Sequence, residues 1–161
     1  MSRKGKKFHK FDPLLKQLLR CLKGHRAILD DEIVVLDAEG RSNFRDLMAR
    51  RGEPRYCAFD LLWLNGRDLR RQPLLARKRR LRRLIPPNDS HLLYVEHLEG
   101  DGVRFFELVC EQDLDGVICK HQNQPLSVYL DQGQEPQLLA GCRTQGIVAQ
   151  DSDPRFWVGY R

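Results

Sequence analysis

The 161 residues are enough for one domain with its own hydrophobic core and too few for two ordinary ones. With 41% apolar and 31% charged residues the composition is globular, which argues against a disordered chain. The net charge of +6 suits a polyanionic partner, and no apolar run is long enough to span a bilayer, so a soluble, cytoplasmic protein without a membrane partner is expected.

The positive charge is clustered. Five of the first ten residues and six of the eight from Ala76 to Arg83 are Lys or Arg. Such runs suit phosphate binding, and a solvated helix face is the plainer alternative. The five cysteines (Cys21, Cys57, Cys110, Cys119, Cys142) are scattered and odd in number, without a CxxC pair. That pattern predicts reduced thiols, not a disulfide framework or a zinc site.

In chain order, Leu14, Leu15, Leu18, Leu19 and Leu22 form one apolar stripe and predict a helix from about Pro13 to Leu22. Asp12 is expected to cap it, Pro13 fits its first turn, and Gly24 is a plausible stop. Residues Ala27 to Asp37 read as a strand, with Asp30 and Glu32 on one face because strand side chains alternate. A turn at Glu39-Gly40 and a short helix over Phe44 to Arg50 follow. Arg55 to Leu64 is a second strand, closed by the hairpin signal Asn65-Gly66. The basic segment Leu74 to Ile85 is helical until Pro86-Pro87. His91 to Glu96 is a third strand, Asp101 to Asp113 an amphipathic helix through Val103, Phe106, Val109 and Cys110, and Gly116 to Lys120 a short buried strand. Beyond Pro125 the periodicity fades until Phe156-Trp157-Val158. The order is mixed α+β.

Several of these segments carry a resemblance. Ser2-Arg3-Lys4-Gly5, Ile28-Leu29-Asp30-Asp31-Glu32-Ile33-Val34, the run Ala58-Phe59-Asp60-Leu61-Leu62-Trp63-Leu64-Asn65-Gly66-Arg67 and Leu114-Asp115-Gly116-Val117-Ile118-Cys119-Lys120 resemble, in order and spacing, motifs of the ATP-dependent DNA ligases, especially the bacterial repair type. The helix from Leu74 to Leu84 continues the likeness, which covers roughly residues 1 to 125. The resemblance implies an antiparallel-sheet nucleotidyltransferase (ATP-grasp-like) adenylation domain over residues 1–130, lacking its first strands, and a diverged tail over 131–161.

The resemblance also implies ATP and Mg2+ as cofactors and nicked or broken duplex DNA as partner. In that family a lysine takes AMP from ATP, AMP passes to a 5′-phosphate, and the 3′-hydroxyl displaces it. Positioning and charge neutralisation carry most of the catalysis of such phosphoryl transfers. Carried over by motif, Arg3 contacts the nucleotide, Glu32 faces ribose and metal, Phe59 stacks on adenine, Asp115 stands near the metal and Lys120 reaches the phosphates. Arg77, Lys78, Arg79, Arg80, Arg82 and Arg83 are the implied DNA contacts. Taken singly, each has a plainer reading: a mobile terminus for Arg3, solvent-facing charge for Glu32 and Lys120, a core aromatic for Phe59, turn chemistry for Asp115.

The chain also departs from the family pattern. The nucleophile lies in a Lys-x-Asp-Gly motif upstream of the Ser-Arg step, and no such motif occurs in the 161 residues. Lys10-Phe11-Asp12-Pro13 comes after Ser2-Arg3, has proline for glycine, and is explained as a helix start. Asp31 stands where the family has glycine, Asp115 is one methylene shorter than the usual glutamate, and Trp157-Val158-Gly159-Tyr160-Arg161 only echoes a Trp-x-Lys-x-Lys motif. The expectation is a truncated ligase homologue, inactive alone. The alternatives are a non-catalytic DNA-binding or partner-binding module that reuses the fold, and half of a split ligase completed by a chain carrying the missing nucleophile motif.

Overall fold

The computed structural model describes residues 9–99, 102–111, 117–121, 123, 125–126, 138–139 and 156–160. The chain divides into two compact units, Met1–Arg67 with Lys78–Tyr94, and Asp68–Arg77 with Val95–Arg161.

The first unit is built on two long strands, β1 (Ala27–Val35) and β2 (Pro54–Leu64), paired antiparallel from Ala27↔Leu64 to Val35↔Pro54. The register slips twice, between Ile28 and Leu29 and between Asp30 and Asp31. At both places the extra residue is on β2: Leu62 at the first, Phe59 at the second. β4 (Leu92–Tyr94) lies along β2 in parallel, with Tyr56↔Leu92 and Ala58↔Tyr94. The Asn65-Gly66 turn leads into β3 (Arg67–Asp68), with φ of 47° and 91° at its two central residues. Both values are positive, as a tight hairpin matching the strand twist requires.

α1 (Asp12–Cys21) follows a 3₁₀ turn at His9–Phe11 and buries Leu14 and Leu18. Asp12 does not cap it as expected. The cap position is Phe11, without a side-chain hydrogen bond, and the Asp12 carboxylate sits 3.3 Å from His9 Nδ1 instead. The helix end is tied down by Asp89, whose carboxylate accepts from Cys21 Sγ at 2.7 Å and from the His91 and Leu92 amides at 2.7 and 2.8 Å. Three donors thus hold one carboxylate below its usual range, against the opposing effect of burial. Burial, helped by the Asp89 hydrogen bond, pushes the Cys21 thiol up to about 11. Leu15, Leu19 and Ile28 remain more than half exposed along a groove of about 520 Å3 between α1 and the start of β1.

α2 (Phe44–Ala49) is capped by Asn43, whose side chain accepts from the Asp46 amide at 3.1 Å. It ends at Arg50 in the left-handed region. α3 (Leu74–Leu84) follows the expected bounds within one residue. Val34, Val35, Ala58, Leu61, Leu81, Ile85 and Leu92 are among the buried apolar residues contributed by β1, β2, α3, β4 and their edges.

In the second unit β5 (Leu98–Glu99), β8 (Phe156–Tyr160), β6 (Val117–His121) and β7 (Leu138–Leu139) form an antiparallel sheet in that order. α4 (Gly102–Glu111) packs on β8 and β6, burying Val109, whereas Val103, expected on the apolar face, is exposed. Cys110 is disulfide-bonded and Cys21 and Cys57 are free, so the expectation of uniformly reduced cysteines is corrected. Mixed helix and largely antiparallel sheet match the expected class; the β2–β4 pair is the parallel exception.

Gly52 has φ +77°, and a Cβ there would lie 2.7 Å from Val35 Cγ1, while Gly40 has φ +80° with nothing within 4 Å. Both substitutions by alanine carry the left-handed penalty of about 1 kcal/mol. Only Gly52→Ala adds overpacking against a buried valine, so urea unfolding should show it to be about 1–3 kcal/mol worse than Gly40→Ala. Equal losses would mean that Val35 yields freely.

Candidate nucleotide site on paired strands

β1 and β2 bring two of the expected site residues onto neighbouring strands. β1 itself carries no extra residue, so Asp30 and Glu32 share one face and Asp31 projects to the other. Glu32 is half-buried opposite Cys57. Burial, with Glu32's negative charge behind it, pushes the Cys57 thiol up to about 11. Asp31 is held above the usual carboxylate range by burial first; the Tyr56 hydroxyl opposes the shift by donating to it, and Asp30 adds like-charge repulsion. Burial and the Asp31 carboxylate push the Tyr56 phenol up in turn.

Phe59 is half-buried and sits at the bulge, where Asp30 pairs with Asp60 and Asp31 with Ala58. An extra residue of this kind bends the strand and re-aims a side chain, and bulges concentrate beside active sites. Its neighbours are fixed: Ala58 and Leu61 are fully buried, and the Asp60 carboxylate, 1% exposed, accepts from the Leu61 amide at 2.7 Å.

The basic helix is not the uniform phosphate-facing surface expected from its composition. Arg77 and Lys78 are 2% and 0% exposed, so neither is available to a DNA backbone. The Arg77 guanidinium donates to the Gln72 carbonyl, and Lys78 Nζ donates to the Phe59 carbonyl at 3.2 Å. Arg79, Arg80, Arg82 and Arg83 are exposed. The missed signal is positional: Leu74, Lys78, Leu81 and Ile85 follow one another at four- and three-residue steps, which places Lys78 on the apolar stripe. Tyr94 was missed too, because its ring comes to lie 4.5 Å from Lys78 Nζ only when β4 pairs beside β2.

Lys120 lies on β6 in the second unit, in register with Trp157 of β8, so the segment that echoed a Trp-x-Lys-x-Lys motif pairs with the strand of the fourth motif. Arg3 and Asp115 lie outside the described residues. Among the described residues no group of three or more His, Cys, Asp or Glu side chains gathers around a common point. Mg2+ is usually held through one or two carboxylates and the nucleotide's own phosphates, so Glu32 on β1 is chemically suited without a preformed cage.

The profile of the family described as "ATP dependent DNA ligase domain" matches residues 1–136. The chain belongs to the ATP-dependent DNA ligase family. Within it, the chain is 34% identical over 121 residues to the multifunctional non-homologous end joining protein LigD of Mycolicibacterium smegmatis, covering 74% of this chain and 16% of that protein. It is 28% identical over 107 residues to the SPbeta prophage-derived DNA ligase-like protein LigB of Bacillus subtilis, covering 63% of this chain and 39% of the relative. Among solved structures, mycobacterial DNA ligase D complexed with ATP and MES superposes with a TM-score of 0.66 at 33% identity, over 77% of this chain and 41% of that one. The ligase domain of M. tuberculosis LigD gives a TM-score of 0.65 at the same identity. The matched part of this chain therefore spans less than half of each of these relatives. No helix among the described residues is long and apolar enough to cross a membrane.

The Asp31 shift has a testable consequence. A carboxyl whose folded pKa is raised costs stability once ionised, and the cost disappears as pH falls through the folded value towards the ordinary 3.8. Asp31→Asn keeps an acceptor for Tyr56 and removes the charge. Its melting temperature should exceed that of the wild type at pH 7, with the gap closing towards pH 4. A gap that is absent at pH 7, or constant with pH, would show that the Asp31 charge is not the cause.

Proposed function

We propose that this chain supplies part of an adenylation domain, with residues 1–130 as the ligase portion and 131–161 as its diverged tail, and that it takes part in ATP-dependent sealing of nicked or broken duplex DNA. The reading rests above all on one observation: in a chain of the ligase family, the β1–β2 pairing sets the carboxylate of Glu32 beside a strand whose bulge is occupied by Phe59. The Phe59 ring offers an adenine base a flat apolar face. The Glu32 carboxylate accepts from ribose hydroxyls and holds the divalent ion that offsets phosphate charge. Arg3 and Lys120 serve the phosphates, and Asp115 stands with Glu32 at the metal. The nucleophilic lysine comes from a Lys-x-Asp-Gly segment outside these 161 residues, so the chain alone forms no enzyme-AMP.

The basic helix supports a second, non-catalytic reading as a DNA-binding module. Its exposed arginines, Arg79, Arg80, Arg82 and Arg83, are spaced to meet a phosphate backbone without reading bases.

Incubation with α-labelled ATP and magnesium should leave no acid-stable label on the wild type or on Lys10→Ala. A polypeptide carrying Lys-x-Asp-Gly, added in trans or fused upstream, should restore labelling. Phe59→Ala and Glu32→Ala should each cut the restored labelling by about tenfold or more, equivalent to about 1.4 kcal/mol. Label on the wild type that vanishes in Lys10→Ala would make Lys10 the nucleophile and end this reading.

DNA binding separates the two roles. Replacing Arg79, Arg80 and Arg83 with Gln should lower the slope of log affinity against log salt by about 2 to 3, near 0.9 per lost phosphate contact. Tight, salt-sensitive DNA binding combined with no response to ATP would favour the module over the ligase portion.

A further inference from the structure

Lys78 is a full charge at zero exposure on a helix whose later cations, Arg79, Arg80, Arg82 and Arg83, reach solvent. Burying an ammonium costs several kcal/mol unless its donors and charge are met, so a lysine retained there is held by specific partners. Two of them are defined. Nζ donates to the Phe59 carbonyl oxygen at 3.2 Å and lies 4.5 Å from the centroid of the Tyr94 ring. Tyr94 pairs with Ala58, the residue just before the bulge, and Arg82, one turn further along α3, stands 5.2 Å from the same ring.

These contacts converge on one point of β2. The register places Phe59 outside the β1 ladder, between Ala58↔Asp31 and Asp60↔Asp30. A bulge disrupts the ladder and leaves its extra residue off the regular strand pairing. The carbonyl of that residue is the one that Lys78 binds. A charge-assisted hydrogen bond is about twice as strong as a neutral one, and the aromatic face adds an attraction that grows when the cation is desolvated.

We propose that Lys78 is a positioning residue for nucleotide binding: its buried ammonium, seated against Tyr94, pins the Phe59 bulge and so sets the plane that the Phe59 ring presents to the base. The inference rests on the reading of Phe59 as the adenine platform. It removes Lys78 from the DNA-contacting set and gives α3 two functions, with Lys78 turned inward to the bulge and the arginines beyond it turned to solvent.

The test compares ATP with inorganic tripolyphosphate, each with magnesium, by calorimetry on the full chain, because only ATP engages the ring. Wild type should prefer ATP by about tenfold or more, and Phe59→Ala should lose that preference. Lys78→Met should reduce the preference at least threefold with tripolyphosphate affinity unchanged, and Lys78→Arg, which keeps a cation for carbonyl and ring, should retain most of it. If Lys78→Met does not fold, Tyr94→Leu replaces it, since loosening the ammonium's seat should reduce the same ratio. Leu81→Ala serves as a destabilised control and should leave the ratio intact. An undiminished ratio in Lys78→Met or its replacement, with Phe59→Ala defective, overturns the role of Lys78 and leaves the Phe59 reading standing. An undiminished ratio in Phe59→Ala, or no ATP preference in the wild type, overturns both.

Discussion

Everything described in the first unit depends on the antiparallel pairing of β1 with β2. These two strands, nine and eleven residues long, take up the difference in length as two bulges on β2. Regular pairing would have forced strict alternation on Phe59 as on every other residue. The bulge frees it from that parity, while Ala58, Asp60 and Leu61 on either side are locked by burial. A bulge within a rigid frame is a physically economical way to present a side chain, because only the local ladder is sacrificed.

The same strands concentrate charge where a polyanion's counterion could bind. Asp30, Asp31 and Glu32 are consecutive, and burial together with the charges of Asp30 and Glu32 works against ionisation of Asp31. Asp31 carries this cost, with burial as its largest cause. Tyr56 offsets part of the cost by donating a hydrogen bond to Asp31. Asp89 shows the opposite outcome: a carboxylate ringed by three donors is stabilised, and it fastens the end of α1 to the start of β4.

The family relation and the geometry answer different questions. Matching over residues 1–136 states what kind of domain this chain belongs to. Coverage of 41% of a ligase D chain means that the remaining parts of such an enzyme have no counterpart among these residues. The β1–β2 frame, the bulge and the buried lysine are properties of this chain itself.

The sequence by itself determined the elements and their order. Helices at 12–21, 44–49, 74–84 and 102–111 and the long strands were legible because apolar periodicity, bounding prolines and the Asn65-Gly66 turn are local signals. The motifs singled out Glu32 and Phe59, which the structure sets on the neighbouring strands β1 and β2. The short strands β3, β5 and β7 were not, since two residues carry no period and exist only through their partners. The bulge at Phe59 was also hidden, because it is a mismatch between two strands and neither strand shows it alone. Tertiary structure alone decided the fate of α3's charges: composition made Arg77 and Lys78 look like surface cations, and burial against a carbonyl and an aromatic ring made Lys78 an internal tether. A charge's role follows from the partners that replace its water, and those partners are distant in sequence.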